Sequence, residues 1–82
     1  MKIDYLPRAQ KALEDLPADV RRAFFKQVRF LEHDLHHRSL RAKKYGETND
    51  LWQARVNKAW RFYFHIVADT YLIRDIIPHP KD

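Results

Sequence analysis

The chain has 82 residues, no cysteine and a single glycine, Gly46. Without cysteine it can form neither disulfide staples nor thiolate metal sites, which suits a reducing compartment. One glycine leaves no room for a Gly-rich phosphate loop or a dinucleotide fingerprint. The only serine, Ser39, sits in a basic stretch with no nucleophile elbow around it, and no carboxylate pair with glycosidase character is evident. No apolar run is long enough to span a bilayer, and the opening Met1-Lys2-Ile3-Asp4-Tyr5 lacks a signal-peptide core. A cytoplasmic chain with no membrane partner is expected.

What is present suffices for one small hydrophobic core, so residues 1–82 are expected to form a single domain. Hydrophobic residues make up 45% of the chain and aromatics 13%, which argues against disorder. The formal charge of +5 points to an anionic partner, although many small proteins are basic without one.

Periodicity divides the chain in two. Met1 to Leu6 alternates loosely, as a short strand does. Pro7 fits the first turn of a helix, Ala9, Ala12, Leu13 and Leu16 follow at helical spacing, and Pro17 stops it. A second helix is predicted from about Ala18 to His36, with Val20, Phe24, Val28, Leu31 and Leu35 as its apolar stripe and Phe25 and Phe30 on the flanks. Arg22, Lys26, Arg29 and His33 form another stripe, read first as a solvated face and alternatively as an electrostatic footprint for RNA. The polar stretch Arg38 to Asp50 reads as a loop. Beyond it Leu51–Val56, Trp60–Val67 and Tyr71–Ile77 alternate with period two and are rich in aromatic and β-branched residues. An α+β fold follows, with a short N-terminal strand and a helical hairpin packed on a C-terminal antiparallel sheet of three or four strands.

Alternation also assigns the sheet faces. Trp52, Ala54, Val56, Trp60, Phe62, Phe64 and Ile66 form the buried set, which leaves Gln53, Arg55, Arg61, Tyr63 and His65 on the other face. A three-residue turn at Asn57-Lys58-Ala59 sets Arg55 across from Arg61 and Gln53 across from Tyr63. Like charges directly opposite destabilise a sheet, so the pair either reserves a place for an anion, splays into water, or pairs with Glu47, Asp50 or Asp75. A two-residue turn at Ala68-Asp69 would put Arg74 across from Tyr63, but would turn Asp75 toward the buried side.

His79 lies between Pro78 and Pro80, which restrict it more than a tail residue normally is, and histidine can serve as acid or base near neutrality. His33, His36 and His37 invite a metal reading. Without cysteine or a recognised third ligand, a solvated cluster at the helix end is the better account, and neither metal nor cofactor is expected. The remaining Arg, Lys, His and Tyr suit phosphodiester chemistry, in which cations stabilise charge on phosphate.

The stretches Leu51-Trp52-Gln53-Ala54-Arg55-Val56, Trp60-Arg61-Phe62-Tyr63-Phe64 and Ile76-Ile77-Pro78-His79, with Leu16-Pro17 between the helices, resemble the signatures of the RelE/ParE toxin superfamily in order and spacing across nearly the whole chain. The resemblance implies a toxin neutralised by a cognate antitoxin, in a hetero-oligomer with it. Its RelE-like branch implies metal-independent cleavage of mRNA on the ribosome by attack of a 2′-hydroxyl on the neighbouring phosphate. It implies that Arg61 contacts that phosphate, that Arg55 assists, that His79 or Lys81 transfers protons, and that Lys43 and Lys44 meet RNA. Gln53, Tyr63 and Arg74 complete the substrate-binding candidates. The tyrosine that some RelE members carry near the C-terminus is missing, and Gln53 stands where RelE has lysine. Both departures leave room for a ParE-like gyrase inhibitor without nuclease activity, or for a non-toxic antitoxin-binding homologue.

Overall fold

The structure, a computed structural model, describes residues 1–45 and 50–79. Its elements in chain order are β1 (Lys2–Tyr5), α1 (Pro7–Asp15), α2 (Ala18–His33), a 3₁₀ turn (Arg38–Leu40), β2 (Lys43–Tyr45), β3 (Leu51–Arg55), β4 (Trp60–Val67) and β5 (Thr70–Pro78). The α+β fold is as expected, but the sheet is larger. Five strands run in the order β1-β5-β4-β3-β2, with β1 parallel to β5 and the remaining neighbours antiparallel.

Leu16 and Pro17 separate the helices. Leu16 is extended at φ −68 and ψ 139, the conformation favoured before proline. At the end of α1 Leu13 O accepts the Leu16 backbone N–H at 3.4 Å, and Arg21 of α2 adds hydrogen bonds from Nη2 to Leu13 O at 2.9 Å and to Glu14 O at 3.0 Å. The second helix ends at His33, earlier than the periodicity suggests. Asp34 turns to φ −159 and its Oδ1 accepts the His36 backbone N–H at 2.9 Å, an alternative to another helical turn.

The core lies between the helices and one sheet face. Phe24, Leu31, Leu40, Phe62, Phe64 and Ile73 are fully buried. Phe24 meets Phe62 edge-on, with centroids 5.2 Å apart at 88°, and Phe64 meets Tyr71 in the same way at 5.6 Å and 89°. The stripe Val20, Phe24, Val28 and Leu31 faces this core, while Leu35 is half-buried and Phe25 is an exposed flank. Arg22, Lys26, Arg29 and His33 are all exposed.

The stretch read as a loop is only partly one. Leu40 is an anchor in the core, and Lys43–Tyr45 pairs with β3 as an edge strand. All three residues of β2 are exposed, so they carry no inside–outside alternation to betray a strand, and their lysines are the kind of charge that discourages edge-to-edge association.

The β4–β5 ladder also departs from expectation. Val67 pairs with Thr70 and Phe64 with Ile73, but the register shifts beyond that point, so Tyr63 faces Asp75 rather than Arg74. Arg74 is the extra, exposed residue of a β-bulge. Ile73 and Ile76 are both buried although three positions apart, a spacing a regular strand cannot place on one face. Asp75 forms an ion pair with Arg8, Nε to Oδ2 at 3.0 Å.

The β4–β5 turn carries Ala68 at φ 55, a left-handed conformation in which a Cβ is unfavourable. Ala68→Gly should therefore stabilise the fold by about 1 kcal/mol, less the entropy that glycine loses on folding. The midpoint of thermal unfolding should rise by a few degrees, at about 4–8 °C per kcal/mol for a domain of this size. A lower melting temperature would show that this turn is not under strain.

Candidate functional site

The β3–β4 hairpin supplies the centre of the site. Asn57 closes its turn, with Oδ1 accepting the backbone N–H of Ala59 and of Trp60, each at 2.9 Å. Arg55 thereby sits opposite Arg61 and Gln53 opposite Tyr63, in the register read from the sequence. With Phe62 and Phe64 buried, Arg61 and Tyr63 face away from the helices.

These side chains line a cleft of about 500 Å³. From the sequence-predicted set the cleft gathers Arg55 and Arg61, Gln53 and Tyr63, Lys43, and His79. To these the structure adds Arg41 and Tyr45. No carboxylate lines the cleft among the described residues, and none of its cations forms an ion pair there.

Arg61 is positioned by neutral oxygens. Its Nη1 donates to Asn57 O at 2.6 Å and to Trp60 O at 2.9 Å. Burial, then the guanidiniums of Arg55 and Arg41, pull its pKa below the ordinary arginine value, while Tyr63 and Tyr45 act in the opposite sense. Arginine stays protonated in any ordinary buffer, so the cost of holding these cations together persists until an anion shares the site. Gln53 joins the two tyrosines. It lies 3.2 Å from the Tyr45 hydroxyl through Oε1, and its Nε2 donates to the Tyr63 hydroxyl oxygen at 2.7 Å.

His79 reaches the cleft by its backbone. Its N–H donates to Ala59 O at 2.6 Å, tying the end of β5 to the β3–β4 turn while the residue stays exposed. Lys81 lies outside the described residues, as does Glu47.

Two candidates are not brought to the cleft. Arg74 occupies the exposed bulge of β5. Lys44 pairs with Trp52, one position out of phase with Lys43 and Gln53, and its Nζ lies 3.0 Å from Asp50 Oδ1. Sequence reasoning missed Tyr45, on the edge strand β2, and Arg41. Arg41 adopts a left-handed conformation, φ 46 and ψ 44, at the end of the 3₁₀ turn, and no sequence signal marks a non-glycine residue for that role.

The expected histidine cluster at the helix end does not form as such. His33 and His36 are exposed, whereas the His37 ring stacks on Phe30 with centroids 3.8 Å apart and its Nδ1 accepts the Ser39 N–H at 3.2 Å. Among the described residues no three His, Asp or Glu side chains gather in a metal-binding arrangement. Nor is any helix among them long and apolar enough to cross a membrane.

Comparisons of the sequence with family models and with curated proteins find no match. Solved structures do match. RelE in an archaeal RelE–RelB complex from Pyrococcus horikoshii superposes with a TM-score of 0.81 at 22% identity, covering 99% of this chain and 97% of that one. A YoeB/ParE toxin from Agrobacterium tumefaciens gives 0.81 at 13% identity over 98% of this chain and 100% of that one. The isolated RelE toxin of E. coli gives 0.78 at 13% identity, covering 99% of this chain and 86% of that one. The fold of this chain is thus the RelE/YoeB/ParE toxin fold.

The opposed arginines make a direct prediction. Arg55→Gln should raise stability at low salt by about 0.2–1 kcal/mol, because it removes a like charge from the position facing Arg61. The gain should shrink as salt screens the wild-type pair. Urea unfolding with an unchanged m-value reads both effects, and a loss of stability at low salt would mean that Arg55 is held by a favourable contact.

Proposed function

We propose that the chain is the toxin of a toxin–antitoxin pair and that it cleaves mRNA on the ribosome. The carrying observation is a cleft that holds Arg41, Arg55 and Arg61 without a lining carboxylate among the described residues. Such a site stabilises charge that develops on a phosphate. In the cleavage a base takes the proton of a 2′-hydroxyl and the freed oxygen attacks the adjacent phosphorus. The bond to the 5′-oxygen breaks, and that oxygen takes up a proton. The products carry a 2′,3′-cyclic phosphate and a 5′-hydroxyl.

Arg61 is assigned to the non-bridging phosphate oxygens. Its anchorage to Asn57 O and Trp60 O fixes the guanidinium before substrate arrives. Arg55 and Lys43 position the strand, and Tyr63 orients the phosphate or stacks on a base. His79 is the proton-transfer group, with Lys81 as the second candidate for that role. Gln53 has no ionisable group, so it serves to hold Tyr45 and Tyr63 rather than to move protons. Lys44 and Arg74 have no place in this scheme. An acidic segment of the antitoxin would neutralise the same face, with fast, salt-sensitive association.

The matched structures include RelE–RelB and YoeB–YefM complexes, which supports an antitoxin partner for this chain. A glutamine at position 53 favours the second reading, a gyrase inhibitor of the ParE kind, because it leaves the cleft short of an acid–base group.

Arg61→Ala and His79→Ala should each lower mRNA cleavage by about 10²–10³-fold, as removal of a transition-state stabiliser does. Binding to the antitoxin should be largely kept. Primer extension on mRNA from a translating extract measures cleavage, with gyrase supercoiling assayed in parallel. Intact mRNA with blocked supercoiling would replace this reading by the gyrase one. Unimpaired bacterial growth on expressing the chain alone would count against toxicity of either kind.

A further inference from the structure

Arg41 and Arg55 line a second concavity besides the cleft. This open groove, of about 820 Å³, runs between α2 and the segment leading into β2. Lys26 of the exposed α2 stripe lies along it, with His36 and Arg38 on the other side. Asp34 is the one acidic lining residue, and one of its carboxylate oxygens already accepts the His36 N–H at 2.9 Å. None of Lys26, Arg38, Arg41 and Arg55 forms an ion pair among the described residues.

The groove floor is held firmly. Gln27, 5% exposed, is the one buried polar residue among those described. Its Nε2 donates to Ser39 O at 3.0 Å and to Arg55 O at 2.8 Å, while its Oε1 accepts the Ser39 hydroxyl at 3.2 Å. One helix residue thus clamps the end of β3 and the 3₁₀ turn together. That clamp fixes the spacing of the groove's walls and of the two arginines it shares with the cleft.

We infer that this groove is a second polyanion subsite, which takes the sugar-phosphate backbone of single-stranded RNA flanking the phosphate held in the cleft. The inference rests on the nuclease reading of the cleft. Continuity through Arg41 and Arg55 argues for the same strand in both places, since a backbone leaving Arg61 meets positive charge along this path. With Lys26, Arg38, Arg41 and Arg55 along it and no Phe, Tyr or Trp among its lining residues, the groove suits phosphates better than bases. The groove therefore adds affinity without choosing sequence.

The test uses the full chain and uncleavable 2′-O-methyl oligonucleotides, one a dinucleotide and one of about twelve residues, a length within the usual span of single-strand sites. The paired substitution Lys26→Ala with Arg38→Ala changes two exposed side chains and leaves Gln27 in place. Affinity for the longer oligonucleotide should fall, and the slope of its log affinity against log salt should drop by about 1.4, at about 0.7 per phosphate contact in single strands. Dinucleotide binding should be unchanged by this pair and reduced by Arg61→Ala. A longer oligonucleotide indifferent to the paired substitution overturns the groove and leaves the cleft reading standing. Loss of a polyglutamate peptide with the oligonucleotide retained makes the groove a protein-docking surface and overturns the proposal. Failure of the wild-type chain to bind the longer oligonucleotide overturns the groove, whereas the cleft reading stands or falls separately on mRNA cleavage in the translating extract.

Discussion

Alternation along β4 places everything else. Phe62 and Phe64 are fully buried, and each contributes about 1.5–3 kcal/mol by leaving water. A slip of one residue would expose both and press Arg61 and Tyr63 into the core. Against that penalty, the repulsion between Arg55 and Arg61 is worth about 1 kcal/mol or less. The core therefore imposes the register, and the arginines must accept it. A cationic pair unfavourable by itself persists because apolar burial on the opposite face of the same strands outweighs its repulsion.

That asymmetry explains which parts of the site were legible. Gln53, Arg55, Arg61 and Tyr63 lie on strands whose other face is strongly apolar, so alternation and one short turn located them all. Lys43 and Lys44 lie on an edge strand exposed on both faces, where no pattern separates the lysine that faces the cleft from the one that pairs with Asp50. Arg41 depends on a left-handed backbone between a core anchor, Leu40, and the start of β2, a conformation that side-chain type does not announce. Gln27 escaped for a different reason. It sits beside the apolar stripe of α2, and its role as a clamp exists only once Ser39 and Arg55 are brought to it by tertiary folding. The fold class was readable because it follows from summed periodicity, whereas β2 and the parallel pairing of β1 depend on contacts distant in sequence.

The way Arg61 is held bears on what the cleft can do. A carboxylate partner would fix a guanidinium equally well but would cancel its field. Carbonyl oxygens of Asn57 and Trp60 orient it while leaving the net charge available. Asn57 is central to this arrangement. Its side chain closes the hairpin turn that sets the register, and its backbone oxygen takes one of the Arg61 hydrogen bonds. Turn geometry and cation placement are consequently one feature, and a change in the turn would move the guanidinium as well as the strand.

The bulge at Arg74 completes the site. An unbulged ladder continuing from Phe64 and Ile73 would set Asp75 opposite Phe62 on the buried face and His79 opposite Lys58. The extra residue does two things at once. It lets Ile76 take the buried place facing Phe62 and frees Asp75 to pair with Arg8. It also advances the rest of β5 by one position, so that His79 meets Ala59 and lines the same cleft as Arg61. An uncompensated carboxylate in the core is expensive, so burial alone is reason enough for the bulge. The position of His79 then follows from the same residue, and the apolar demands of Ile73 and Ile76 on one side of β5 deliver an ionisable group to the cleft on the other.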